Sequence, residues 1–178
     1  VQTDRVITSF DEADLVTGKV KEGGEGFQIS CERITSTKAT KTLGDFSYVV
    51  DQDATIEGDL IVGKSSLTRL MLCDGATLTV NGALILQCNR LYIYGQTGSN
   101  GVGKLIVKNS ESAGAAVRND GGSALYIYGG NVELNGGASK QITEDNTKLV
   151  SNGKITMGTL DGKELTLDAW SGVQALMG

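Results

Sequence analysis

Between Arg69 and Gly137 the chain repeats itself, and the repeat leaves few folds open. The stretch reads RLMLCDGATLTVNGALILQCN, then RLYIYGQTGSNGVGKLIVKNSESAGAAVRNDGGS, then ALYIYGGNVELNGG. Short apolar runs recur, and each is closed by Gly, Asn, Asp or Ser. Within a run the residues alternate. In Leu91-Tyr92-Ile93-Tyr94 the aliphatics fall on one side and the tyrosines on the other, and Leu125-Tyr126-Ile127-Tyr128 repeats the order. A strand has a side-chain period of two, so Leu91 and Ile93 are expected inside and the tyrosines outside. Leu70 and Leu72, Leu78 and Val80, Leu84 and Leu86, Leu105 and Val107, and Val132 and Leu134 are the other expected inward pairs.

The runs group in threes. One triplet is RLMLCDG, ATLTVNG, ALILQCN; the next begins at Arg90 and a third at Ala124. An earlier, weaker copy is FSYVVDQD, ATIEG, DLIVGKSS, and a later one is TKLVSNG, KITMGTLD, GKELTLDA. Repeats of about 20 to 35 residues fall in the solenoid range, and three short strands per repeat predict a right-handed parallel β-helix. No single coil buries its own apolar side, but stacked coils enclose a continuous column, with rungs about 4.8 Å apart. An antiparallel sandwich or barrel also accommodates short strands and frequent turns. The phase argues for the helix. Leu70, Leu91 and Leu125 open equivalent triplets, followed on the outside by Met71, Tyr92 and Tyr126, an order that hairpins have no reason to repeat.

This reading divides the chain into an irregular N-terminal cap and first coil at 1–46, a β-helix at 47–168 and a short cap at 169–178. A solenoid exposes raw strand edges at its ends, which caps protect. Trp170, Val173, Leu176 and Met177 are spaced for an amphipathic turn over the far end. Gln96–Gly103 and Lys108–Ser112 read as surface loops at corners. Val1–Asp4 reads as the start of a mature or trimmed chain, without a signal peptide. Proline is absent and glycine supplies 25 of 178 residues, which suits paired strands joined by tight corners.

The chain has no histidine, so serine–histidine, cysteine–histidine and zinc–histidine centres are excluded. The net charge of −5 comes without a Lys/Arg cluster, which argues against nucleic acid. No apolar run approaches the roughly 18 residues of a membrane span. Cys31, Cys73 and Cys88 are odd in number and lack C-x-x-C spacing, so they read as thiols packed as small hydrophobes. No catalytic residue, metal ligand or cofactor site stands out.

The stretch LMLCDGATLTVNG…LYIYGQTGSNGVGKL…GAAVRNDGGSALYIYGGNVELNGG resembles the Gly-rich repeats of secreted and surface-exposed proteins of gut bacteria, often described as carbohydrate-binding-domain-containing. The resemblance covers well under half of the chain. Its usual Gly-rich turn is replaced here by Ala115–Asp120. It implies a right-handed β-helix and an extracellular or cell-surface location, and no catalytic residue.

The candidate ligand-binding residues are Tyr92, Tyr94, Tyr126 and Tyr128. Stacked in phase they form an aromatic platform on one outer wall, with Met71 and Cys73 continuing it on the coil below. Sugar rings stack on such platforms, and phenol hydroxyls add polar contacts. Two plainer roles compete: packing against another domain of the same protein, or cross-strand pairing that only stabilises the sheet. The function expected is therefore a non-catalytic extracellular binding or spacer module. The alternative is a polysaccharide-active lyase or glycosidase using Asp51, Asp53, Glu57 and Asp59 with Lys64 or Arg69, an expectation from fold analogy. A D-x-D at a corner is more often simply a solvated turn.

Overall fold

The structure is a computed structural model that describes residues 5–10, 27–45, 47–95, 101, 103–111, 114–127, 129–136, 148–151, 154–159 and 164–168, with side-chain surroundings between 31 and 136. All regular structure among these residues is β-strand. The chain opens with β1 (Arg5–Phe10) and β2 (Phe27–Arg33), followed by β3 (Lys41–Leu43). The next triplet is β4 (Ser47–Val50), β5 (Ala54–Ile56) and β6 (Leu60–Val62). Then come β7 (Thr68–Leu72), β8 (Thr77–Val80), β9 (Leu84–Leu86), and β10 (Arg90–Gly95), β11 (Lys104–Lys108), β12 (Val117–Asn119). The last described strands are β13 (Ala124–Ile127), β14 (Asn131–Gly136), β15 (Lys148–Ser151), β16 (Lys154–Thr159) and β17 (Glu164–Asp168).

Successive members of each triplet go to three different sheets, so the chain is a parallel β-helix with three walls. The first wall runs β1-β2-β4-β7-β10-β13-β15, the second β17-β16-β14-β11-β8-β5 and the third β12-β9-β6-β3. Stacking begins upstream of Ser47. β2 pairs in parallel with β4, Thr37 bridges Ile56, and β3 pairs in parallel with β6, which makes an irregular first coil. The two antiparallel pairs close opposite ends: β1 lies along β2, and β17 along β16. The strand Glu164–Asp168 thus corrects the reading of GKELTLDA as the third side of a last coil. It folds back on the second wall instead, where it covers the edge that β16 would otherwise present. Trp170 and the expected C-terminal cap lie outside the described residues, as does most of the loop from Gln96.

Alternation sorts the side chains as expected. Leu78, Val80, Leu105, Val107, Val132 and Leu134 are at most 1% exposed on the second wall, and Leu60, Val62, Leu84, Leu86 and Val117 match them on the third. Together with Leu70, Leu72, Leu91, Ile93, Leu125 and Ile127 they form one continuous core. Burying each such side chain contributes about 1.5–3 kcal/mol.

The register along the first wall differs from the expected phase. Leu91 stands beside Leu125, but Leu70 stands beside Ile93, and the neighbour of Leu91 on the coil below is Thr68. The slip is two residues, so every side chain keeps its face. The actual register sets Arg69 beside Tyr92, whereas the expected phase would set Arg69 beside Arg90 and oppose two like charges. Thr68 is fully buried, and its hydroxyl donates to the Gly44 carbonyl at 2.8 Å.

Interior polar groups mark the corners. Asn119 lies in line with Leu86, 5% exposed. Its amide donates to the Ser123 carbonyl at 2.9 Å, and its carbonyl accepts from the Ser123 N–H at 2.8 Å. Asn109 acts alike, donating to the Ala115 carbonyl at 2.9 Å and accepting from the Glu111 N–H at 3.1 Å. A side chain thus replaces the missing ladder partner at the bend and bonds backbone groups that would otherwise be buried without one.

Candidate functional site

The outer face of the first wall carries the expected site. Tyr92 on β10 and Tyr126 on β13 are register partners, and their ring centroids lie 4.9 Å apart with planes at 86°. Tyr94 meets Tyr92 at 6.2 Å and 83°. Strand spacing brings the rings to this distance, and the ring quadrupole favours the edge-to-face arrangement. The two rings thus meet edge to face on the outer wall. Tyr128 lies outside the described residues.

The three described tyrosines of the expected site are not equivalent. Tyr92 and Tyr126 are half-buried, whereas Tyr94 is 2% exposed. Tyr94 belongs to a second apolar cluster with Cys31, Val49 and Met71, against which Cys73, Tyr92 and Tyr126 pack. Met71 stands directly beside Tyr94, and Val49 beside Met71. At this end the outer wall is a packed surface, and among the described tyrosines of this wall Tyr92 and Tyr126 are the ones that keep partial exposure.

Gly95 and Gly130 let the coils approach beside this cluster. A Cβ on Gly95 would come within 2.5 Å of the Gly130 nitrogen, so the corner that ends β10 admits no side chain. Gly130 itself has φ +85°, the left-handed region that favours glycine.

Charge around the tyrosines is arranged unevenly. Arg33 holds Asp51 through two guanidinium nitrogens, with Nη2 to Oδ2 at 2.7 Å, and Arg118 donates to Asp120 at 3.0 Å. Arg69 and Arg90 have no carboxylate partner among the described residues. Arg69 is half-buried beside Tyr92, and Arg90 is exposed, with Nη1 donating to the Tyr92 hydroxyl at 3.4 Å. Neither arginine was legible as part of the tyrosine site from sequence. The available signal was that both triplets open with Arg at an outward position.

The acidic residues of the enzyme alternative hold coils together. Asp51 pairs with Arg33, and Asp53 accepts the Thr77 N–H at 2.9 Å. Glu57 accepts from the Asn81 amide at 3.1 Å, and Asp59 from the Ala83 N–H at 2.8 Å. The last three bonds each span 24 residues, one coil. Lys64 is exposed on its own corner. Among the described residues no three His, Cys, Asp or Glu side chains converge as a metal site would require, and no helix is long and apolar enough to cross a membrane.

None of Cys31, Cys73 and Cys88 forms a disulfide. Burial pushes the Cys88 thiol above its ordinary value, against smaller opposing effects of its hydrogen bonds to Ser123 and to backbone. No protein-family model, curated protein or solved structure matches this chain.

Proposed function

We propose that this β-helix is a non-catalytic binding or spacer module of a secreted or surface-displayed protein, and that it touches glycans through Tyr92 and Tyr126. The observation that carries the reading is the half-buried, perpendicular tyrosine pair set side by side on a continuous parallel wall. One ring face and two phenol hydroxyls suit a saccharide that stacks on one side and hydrogen-bonds on the other. The likeness of the repeats to surface proteins of gut bacteria supports an extracellular setting. The bonding of Asp51, Asp53, Glu57 and Asp59 between coils favours a structural role for them over acid–base catalysis. The burial of Val49, Met71 and Tyr94 on the outside of the same wall supports the spacer reading, in which part of this face serves packing.

A glycan microarray with plant, microbial and mucin saccharides tests the binding role. Retention by the wild-type chain, lost in Tyr92→Ala/Tyr126→Ala with the far-UV spectrum unchanged, is the expected result. An array on which the wild type binds nothing overturns glycan contact and leaves the spacer. Release of new reducing ends from any arrayed polysaccharide would overturn the non-catalytic assignment.

A further inference from the structure

The arginines separate into two kinds. Arg33 and Arg118 each close on a carboxylate of their own chain. Arg69 and Arg90 have none among the described residues, and both flank Tyr92. Arg69 is its register neighbour on β7, about 4.8 Å away across the strands, on the side opposite Tyr126. Arg90 precedes Tyr92 by two positions on the same face of β10, about 6.7 Å along the strand. Tyr92 is therefore bracketed by two cations and one ring on a wall that parallel pairing holds in place. The net charge of −5 makes two neighbouring arginines without a carboxylate partner among the described residues notable, because acidic side chains outnumber basic ones.

We infer that the Arg69–Arg90–Tyr92–Tyr126 patch takes an acidic saccharide, one whose sugar ring bears a uronate carboxylate. The inference rests on the glycan-binding reading above and narrows it. A guanidinium presents two parallel N–H groups to a carboxylate, a geometry that a neutral hydroxyl cannot match. Adjacent uronate residues of a polysaccharide supply more than one carboxylate around a stacked ring, and the two arginines stand beside Tyr92 in two directions, one across the strands and one along its own strand. Arg90 also donates to the Tyr92 hydroxyl at 3.4 Å, which ties one arginine of the patch to the ring.

Affinity electrophoresis of the full chain tests this with polygalacturonate, its fully methyl-esterified form, alginate, hyaluronan, dextran and dextran sulfate. Retention by at least one uronate polymer is expected, weakening by about tenfold or more when its carboxylates are esterified or when Arg69→Gln/Arg90→Gln is tested. Raised salt is expected to weaken it too. Arg69→Lys/Arg90→Lys keeps the charge but loses the fork and should fall between. Arg118→Gln, on the third wall, should bind as the wild type does. Far-UV spectra establish that each variant is folded, and the esterified polymer reports on the wild-type chain independently of any variant.

Equal retention of the acidic and esterified polymers, or of dextran, with loss in Tyr92→Ala/Tyr126→Ala, would overturn the acidic-saccharide assignment and keep the glycan site. Stronger retention of dextran sulfate than of every uronate polymer would assign the arginines to sulfate and overturn the uronate. No retention of any uronate polymer overturns the inference outright.

Discussion

Replacing Gly82 with alanine tests whether the coils touch where the structure stacks them. Gly82 sits at the corner between β8 and β9, directly over Gly58 of the coil below. A Cβ at residue 82 would lie 2.5 Å from the Gly58 carbonyl oxygen, 2.7 Å from its carbon and 2.6 Å from Asp59 Oδ1. Two of these atoms are backbone and cannot move aside without parting the coils. The third is the carboxylate that accepts the Ala83 N–H at 2.8 Å, so displacing it loosens a bond between coils as well. Overpacking of this kind costs about 1–3 kcal/mol, and weakening a charge-assisted bond adds to it. The restricted unfolded chain returns only about 0.4–1 kcal/mol. A net loss of about 2–4 kcal/mol follows, which lowers the urea midpoint by about 1–2 M for a slope near 2 kcal/mol per molar. Gly44→Ala is the control. Its Cβ meets nothing closer than the Tyr48 hydroxyl at 3.7 Å, and its φ is ordinary, so its midpoint should stay put or rise slightly. Far-UV circular dichroism in urea reads both. Midpoints that fall together, or a Gly82→Ala midpoint equal to the wild type, would refute direct contact between the corners.

Asn119→Leu continues the aliphatic column of Val62 and Leu86 yet should destabilise by about 2–4 kcal/mol in the same urea assay, because the Ser123 N–H and carbonyl both lose their buried partner. Asp51→Asn should lower stability by about 1 kcal/mol, since its pair with Arg33 retains side-chain exposures of 22% and 26% and is partly screened. Iodoacetamide at neutral pH should label Cys73 first, with buried Cys31 and Cys88 reacting only on unfolding, as peptide mass spectrometry would show. The raised Cys88 thiol sets a sign for pH dependence. Below the ordinary thiol range both states hold the proton, so nothing changes. As pH rises through that range the unfolded chain releases the proton first and stability falls, a slope that Cys88→Ser should remove.

The candidate site was half legible. That Tyr92 and Tyr126 share a wall follows from two identical L-Y-I-Y runs at the same place in successive triplets, and the register confirms their pairing. That Tyr94 is buried while Tyr92 is half-open does not follow, because both occupy outward positions of one strand. Neighbours from β4 and β7 make the difference: Met71 and Val49 extend an apolar cluster beside Tyr94, and Arg69 stands beside Tyr92. The acidic corner was misleading for a related reason. Asp53, Glu57 and Asp59 looked like a local cluster, but their partners Thr77, Asn81 and Ala83 lie one coil on, visible only after the chain has wound once.

By itself the amino-acid sequence determined the period: alternation within each run, Gly and Asn at each corner, and three runs per repeat. Those local rules suffice to place the inner columns, because a side chain's face depends only on its parity along the strand. Tertiary structure alone decided how far each strand slides along its neighbour. A slip of two residues leaves every face unchanged, so hydrophobic burial cannot select among such slips, and the choice falls to contacts between coils that no local pattern encodes. Thr68 facing the core beside Leu91, Arg69 beside Tyr92 and the turned-back strand β17 are all outcomes of those contacts.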